Sequence, residues 1–192
     1  MVKLTGLKKI KSAIFISGTG SNLKNIIKFS KLKKSPISID LIVSNTSLAK
    51  GLKYADLFKI KKKIFNFKNH KKSEKNILTL LKLKKIKFVC LAGFMKILSK
   101  EFINKFDGKI INIHPSLLPK YKGLNTHSRA IKNKDTFTGC TVHYVTAKLD
   151  SGKIIMQKKI RIAAKENLAS LAKKVLKQEH KLYLNAIMKI FN

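Results

Sequence analysis

Asn112 and His114 stand two positions apart in the segment INIHPSLLP, where an apolar run meets a loop that contains two prolines. If that run is a strand, side chains two positions apart point to the same face and can address one reacting carbon. An asparagine amide donates a hydrogen bond without titrating, and a histidine can supply a proton near neutral pH. Such a pair at a strand end can also do nothing more than cap a loop.

A second chemical feature is the glycine loop in FISGTGSNLKNII, where Gly18 and Gly20 join an apolar run to a helical pattern. Glycines allow backbone N–H groups to approach a ligand, and Ser21 and Asn22 are suited to cap a helix whose positive end favours an anion. This suits a phosphate monoester. The dinucleotide fingerprint is excluded because its third glycine falls at Leu23, and no Walker lysine follows. A tight turn without a ligand is the alternative.

Glu179 is a carboxylate on an otherwise apolar helical stripe near the C-terminus, four residues from both Val175 and Tyr183. A carboxylate that faces inward is costly unless it is paired. The stripe therefore predicts a partner for Glu179, and a helix-edge ion pair with a lysine is the alternative.

The elements that must position these side chains alternate between apolar runs and lysine-rich segments of helical period. This alternation predicts an α/β fold, a mostly parallel twisted sheet with helices on both faces. The predicted strands are 12–17, 37–43, 63–66, 87–91, 110–113, 139–145 and 153–160, and the predicted helices are 22–34, 48–59, 72–85, 127–133 and 166–190. No helix separates the last two strands, so we expect an antiparallel portion near the C-terminal end.

The size and charge of the chain set the class of protein. Its 192 residues suit a single domain, 1–192, with an N-terminal half at about 11–92 and a C-terminal half at about 93–192. The formal charge of +34 invites a nucleic-acid interpretation. However, all but Arg129 and Arg161 of the 43 basic residues are lysine, and they are spread over most elements. A lysine-rich coding bias explains this better than a specific nucleic-acid face, and a diffuse field that attracts anionic small molecules is a third interpretation.

The apolar runs and cysteines indicate the compartment. No apolar run is long enough to span a bilayer, so no membrane partner is expected. Cys90 and Cys140 lie in apolar stretches without the spacing of metal ligands, which argues against a disulfide framework or a zinc site. These features predict a cytoplasmic protein with no metal.

Four motifs in order, ISGTGSNL, LAGFMKILS, INIHPSLLPKYKGLNTH and TVHYVTAKLDSGKIIMQ, closely resemble the folate-dependent formyltransferases. The glycine loop is similar to that of the phosphoribosylglycinamide formyltransferases in particular. The resemblance implies transfer of the formyl group of 10-formyltetrahydrofolate to glycinamide ribonucleotide in purine biosynthesis. It also implies a Rossmann-like formyltransferase domain, small-molecule substrates, and a monomer or homodimer.

The resemblance assigns binding roles to specific residues. It implies that Gly20, Ser21 and Asn22 bind the substrate phosphate and that Glu179 contacts the substrate amine. The folate-binding residues that it implies are Met95, Lys96, Ile97, Leu98 and Asn112.

The resemblance also assigns the chemistry. It implies that Asn112 binds the formyl oxygen and that His114 is the general acid or electrostatic stabiliser. Asp150 is expected to pair with His114 and raise its pKa, or to position a proton-carrying water. An aspartate before Ser-Gly is otherwise a common turn former. The peptide bond between Leu118 and Pro119 is expected to be cis.

The sequence departs from the family pattern at two places and leaves two alternative functions open. Asn125 replaces a histidine of the family pattern, and the family's basic residue near the third helix has no clear counterpart, with His70, Lys71 and Lys72 as the candidates to stand in for it. Formylation of another amine is the same-family alternative. A lysine-rich nucleic-acid-binding α/β protein is the alternative from a different class.

Overall fold

The computed structural model describes residues 8–191, and the strands in this part of the chain follow the predicted apolar runs closely. They are β1 (Ile10–Ile16), β2 (Ile37–Ser44), β3 (Lys62–Ile64), β4 (Phe88–Leu91), β5 (Lys109–His114), β6 (Phe137–Tyr144) and β7 (Ile154–Arg161). These strands belong to one sheet in the order β3-β2-β1-β4-β5-β6-β7.

The helices differ more from the sequence prediction. They are α1 (Ser21–Ser30), α2 (Lys53–Leu57), α3 (His70–Leu83), α4 (Lys100–Lys105), α5 (Thr126–Lys132) and α6 (Leu168–Phe191). The helix predicted at 48–59 is instead a short 3-10 turn at Lys50–Leu52 followed by α2. Helix α4 was not predicted, because six residues with a single buried side chain, Phe102, are too few to show a helical period.

The chain divides into two compact units, the first of which extends mainly to Lys96. In this unit β1 is parallel to both β2 and β4, and β2 is parallel to β3. The middle strand β1 is buried along residues 12–16, as expected for a parallel strand covered on both faces. At its carboxyl end, β1 continues through Ser17 into the glycine loop.

The second unit extends mainly from Ile97 and contains the antiparallel strands. Strand β6 pairs antiparallel with β5 on one side and with β7 on the other. Helix α6 buries an apolar face that includes Leu171, Val175 and Tyr183, and the Tyr183 hydroxyl donates to the Ile111 carbonyl at 3.3 Å. The predicted parallel sheet with an antiparallel C-terminal portion is therefore confirmed.

A membrane-spanning helix is absent from the part of the chain described here, since none of its helices combines sufficient length with sufficient apolarity.

Candidate active site

Strand β5 brings Asn112 and His114 to one face of the sheet, as the strand period predicts. In the antiparallel pairing of β5 with β6, Asn112 lies opposite His143 and His114 lies opposite Thr141. Residues directly opposite each other on paired strands share a face, so the four side chains are neighbours. His114 is only 5% exposed, which places its imidazole inside the protein rather than on a loop surface.

Both ring nitrogens of His114 face hydrogen-bond acceptors. Its Nε2 lies 2.8 Å from the Tyr121 carbonyl oxygen, and its Nδ1 lies 3.3 Å from Oδ2 of Asp150. A carbonyl can only accept, so Nε2 carries a hydrogen and donates it. Nδ1 is then the nitrogen that gains or loses a proton, and the resulting cation would be paired with Asp150.

Burial and the Asp150 carboxylate act in opposite directions on the pKa of His114. Burial lowers the pKa of His114 from 6.5, and this effect exceeds the opposing effects of the Tyr121 carbonyl and the Asp150 carboxylate. Asp150 does favour the charged imidazole, as predicted, but desolvation of a nearly enclosed ring outweighs it. The predicted effect of Asp150 is therefore present, but burial, which is a tertiary property, decides the net direction of the shift.

Asp150 is held as a carboxylate at the end of a tight turn. Burial alone would raise its pKa, but the imidazole of His143, the Gly123 amide and the charge of His114 together lower the pKa of Asp150 below 3.8. The Gly123 N–H donates to Oδ2 at 2.8 Å. Asp150 has a φ of 45°, a left-handed conformation that aspartate tolerates better than most residues. The turn therefore provides a fixed negative charge beside His114.

The loop after β5 is clamped onto the neighbouring strands. The peptide bond between Leu118 and Pro119 is cis, as the resemblance implied. The Leu118 N–H donates to Oγ1 of Thr141 at 3.1 Å, and the Gln157 side-chain amide donates to the Leu118 carbonyl at 2.8 Å. These bonds fix the path of the chain toward Tyr121, whose carbonyl binds His114.

The glycine loop lies in the first unit and is packed tightly. Gly20 has a φ of 77°, and a Cβ there would lie 2.6 Å from the Cα of Gly51. Helix α1 begins at Ser21, and its N-cap is Gly20, which has no side chain to accept a hydrogen bond from the first turn. The prediction that Ser21 and Asn22 cap the helix is therefore wrong, because both residues lie inside the first turn. Their backbone N–H groups belong to the positive end of α1, which favours an anion.

The segment that resembles a folate-binding segment follows β4. The backbone N–H of Met95 donates to Oγ of Ser17 at 2.8 Å, which ties this segment to the end of β1. Met95 is 62% exposed and Ile97 is 59% exposed, whereas Leu98 is 3% exposed. Lys96 is also exposed. The segment therefore exposes apolar side chains at Met95 and Ile97, while the side chain of Leu98 is buried.

Glu179 is buried on α6, as its place on the apolar stripe predicted. Glu179 is only 8% exposed. Burial raises the pKa of the neighbouring Cys140 thiol to about 12, and the negative charge of Glu179 contributes to this shift. Glu179 is therefore a buried acidic side chain inside the second unit.

His70 is the most firmly held of the three residues that could replace the family's basic residue. It begins α3, its ring packs edge-on against Phe67 at 5.1 Å, and its Nδ1 lies 3.6 Å from Oε1 of Glu74. Lys71 and Lys72 are exposed on the first turn of the same helix.

The described residues contain no group of three or more histidine, cysteine, aspartate or glutamate side chains placed to hold a metal ion. The two cysteines, Cys90 and Cys140, are both buried.

His143 lies on β6, beside Asn112 and Asp150. The structure buries it to 2% exposure, and its Nε2 lies 3.3 Å from the Asn112 side-chain nitrogen and 3.6 Å from Oδ1 of Asp150. Only the register of β5 against β6 could have revealed this neighbour.

His127, the second residue of α5, has a buried Nδ1 without a hydrogen-bond partner.

Comparison with known proteins identifies the family of the chain. Residues 10–187 match the family model described as formyl transferase. The chain is 39% identical to phosphoribosylglycinamide formyltransferase of Haemophilus influenzae, over 92% of this chain and 84% of that protein. It is 40% identical to the human trifunctional purine biosynthetic protein adenosine-3 over 94% of this chain, and it spans only 18% of that protein.

A crystal structure of phosphoribosylglycinamide formyltransferase from Brucella melitensis superposes with a TM-score of 0.90 at 39% identity, covering 95% of this chain and 96% of that one. The sequence match and the structural match both extend over nearly the whole chain. The chain therefore belongs to the formyl transferase family.

Proposed function

We propose that this protein transfers the formyl group of 10-formyltetrahydrofolate to the amine of 5-phosphoribosylglycinamide, as a step of purine biosynthesis. The observation that carries the proposal is the buried His114, fixed between a backbone carbonyl and the Asp150 carboxylate on the strand face that also holds Asn112. The name phosphoribosylglycinamide formyltransferase, which two similar proteins carry, supports the acceptor and the group transferred, and the folate donor is what the family resemblance implies.

The reaction forms a bond between the amine nitrogen and the formyl carbon and breaks the bond between that carbon and N10 of the folate. Negative charge develops on the formyl oxygen while the amine attacks. The Asn112 side-chain amide is a non-titrating donor for that oxygen, and a fixed donor of this type is worth about 100-fold to 1,000-fold in rate.

A proton must leave the attacking amine and reach the departing N10. Because burial lowers its pKa, His114 is largely neutral at neutral pH, with its Nδ1 lone pair facing Asp150. It can therefore gain the amine proton at Nδ1 by way of the Asp150 carboxylate, which faces that nitrogen. Asp150 stabilises the imidazolium, which lies beside the oxyanion and then returns a proton to N10.

The remaining site residues have binding roles in this proposal. The backbone N–H groups at Gly20, Ser21 and Asn22 bind the phosphate at the positive end of α1. The buried carboxylate of Glu179 binds the substrate amine.

The segment from Met95 to Leu98 contacts the folate, and its exposed apolar side chains at Met95 and Ile97 suit a flat heterocycle. Both substrates are small molecules, and we place the enzyme in the cytoplasm as a monomer or homodimer.

The test follows the absorbance change as formylfolate becomes tetrahydrofolate, with and without glycinamide ribonucleotide. We expect turnover only when the ribonucleotide is present, and a loss of at least about 100-fold in His114→Ala. A wild-type rate that does not depend on the ribonucleotide would exclude the proposed substrate. Near-wild-type turnover in His114→Ala would remove that residue from the mechanism.

A further inference from the structure

His143 occupies a specific position relative to Asn112. The two residues lie directly opposite each other in the β5–β6 pairing, and their side chains are 3.3 Å apart at Asn112 Nδ2 and His143 Nε2. On the other side of β6, the register against β7 shifts between Val142 and His143. Irregularities of this kind often redirect a side chain next to an active site.

The backbone determines which nitrogen of His143 carries a hydrogen. Its Nδ1 lies 2.9 Å from the Tyr144 carbonyl oxygen. Since a carbonyl only accepts, Nδ1 carries the hydrogen and donates it. In the neutral ring Nε2 then has a lone pair, and it accepts a hydrogen bond from the Asn112 side-chain nitrogen.

This hydrogen bond selects one of two orientations of the Asn112 amide. An amide nitrogen has two hydrogens, so one can be held by His143 while the second is available to an incoming oxygen. In the flipped orientation the Asn112 oxygen would face the Nε2 lone pair, and two acceptors would oppose each other. Asp150 Oδ1 lies 3.6 Å from Nε2, farther away than the Asn112 nitrogen at 3.3 Å, so Asn112 is the nearer partner of Nε2.

We propose that His143 is a positioning residue that fixes the Asn112 side chain with its nitrogen as the donor toward the formyl oxygen. The inference rests on the proposed function for its catalytic consequence. Without His143, the Asn112 amide is free to present its oxygen, which repels the developing negative charge. His143 itself touches neither substrate in this proposal.

Two substitutions separate the hydrogen bond from the volume of the ring. His143→Leu keeps much of the volume but removes the acceptor, whereas His143→Gln can place an amide oxygen near the position of Nε2. We expect His143→Leu to lower kcat by about 10-fold to 100-fold, less than the loss of the oxyanion donor itself because the amide remains but is no longer fixed, with both KM values nearly unchanged. His143→Gln should recover kcat to within about 5-fold of wild type, and His180→Leu, a control, should leave kcat unchanged.

A double-mutant cycle tests whether His143 acts through Asn112. In an Asn112→Ala background, His143→Leu should cost less than about 3-fold, because the amide that it positions is gone. The same loss in both backgrounds would overturn the proposal, and so would a kcat for His143→Leu within 3-fold of wild type.

Nuclear magnetic resonance gives a readout that needs no activity. The side-chain N–H signals of Asn112, assigned by their disappearance in Asn112→Asp, should move in His143→Leu and stay closer to their wild-type positions in His143→Gln. Identical signals in wild type and His143→Leu would refute the positioning role. Shifted signals in a protein without formyl transfer would instead support the hydrogen bond and refute only the proposed function.

Discussion

Asp150→Asn tests the ion pair at the centre of the proposed mechanism with little change in shape. Asparagine is almost isosteric with aspartate and accepts the left-handed conformation that the φ of 45° requires. Its side-chain oxygen can still accept the Gly123 N–H, which now donates to Oδ2 of Asp150 at 2.8 Å. The substitution therefore removes the negative charge and leaves the turn in place.

The magnitude follows from the distance between His114 and Asp150. At 3.3 Å between Nδ1 and Oδ2, the attraction of an imidazolium to the carboxylate is about 5 kcal/mol at an effective dielectric of about 20. If all of it were lost in the transition state, the rate would fall by about 5,000-fold. Relaxation of the site reduces this value, so we expect kcat to fall by at least about 100-fold.

The measurement is the absorbance assay of formyl transfer at pH 7.5, with KM determined for each substrate. Asp107→Asn is the matched control, because Asp107 is 91% exposed and pairs with Lys87 at the surface, where an ion pair contributes little. Asp107→Asn should retain wild-type kcat. A kcat for Asp150→Asn within about 5-fold of wild type would refute the role of this charge.

Three further predictions concern stability and binding. Burial lowers the pKa of His114 and His127 below 6.5 in the folded protein. At pH values between these lowered pKa values and 6.5, the unfolded chain therefore binds more protons than the folded protein, and the free energy of unfolding rises with pH. Urea unfolding should give a smaller free energy at pH 5 than at pH 7.5, and equal values would contradict it. Gly152→Ala places a Cβ 1.7 Å from the Tyr144 carbonyl oxygen, whereas nothing lies within 4 Å of a Cβ at Gly18. Gly152→Ala should cost at least about 2 kcal/mol and Gly18→Ala less than about 0.5 kcal/mol in thermal unfolding, and equal losses would argue against this reasoning. Glu179→Gln should raise KM for the ribonucleotide by about 10-fold or more and leave KM for formylfolate unchanged, while an unchanged ribonucleotide KM would exclude the amine contact.

Local patterns predicted most of the fold because each depends on neighbours along the chain. Apolar runs located all seven strands of the described residues, and the period of two placed Asn112 and His114 on one face. The same local reasoning failed where the signal was too short or a backbone conformation intervened. Helix α4 has only six residues, and the left-handed Gly20, rather than Ser21 or Asn22, caps α1.

The sequence by itself determined the α/β fold, the family motifs and the residue types of the candidate site, since these are properties of order and spacing. Only the tertiary structure decided that His143 lies opposite Asn112 and that the pKa of His114 falls rather than rises. The register of two strands depends on pairing between distant segments. A pKa depends on how completely other parts of the chain remove water from the ring, and neither quantity is encoded in a local pattern.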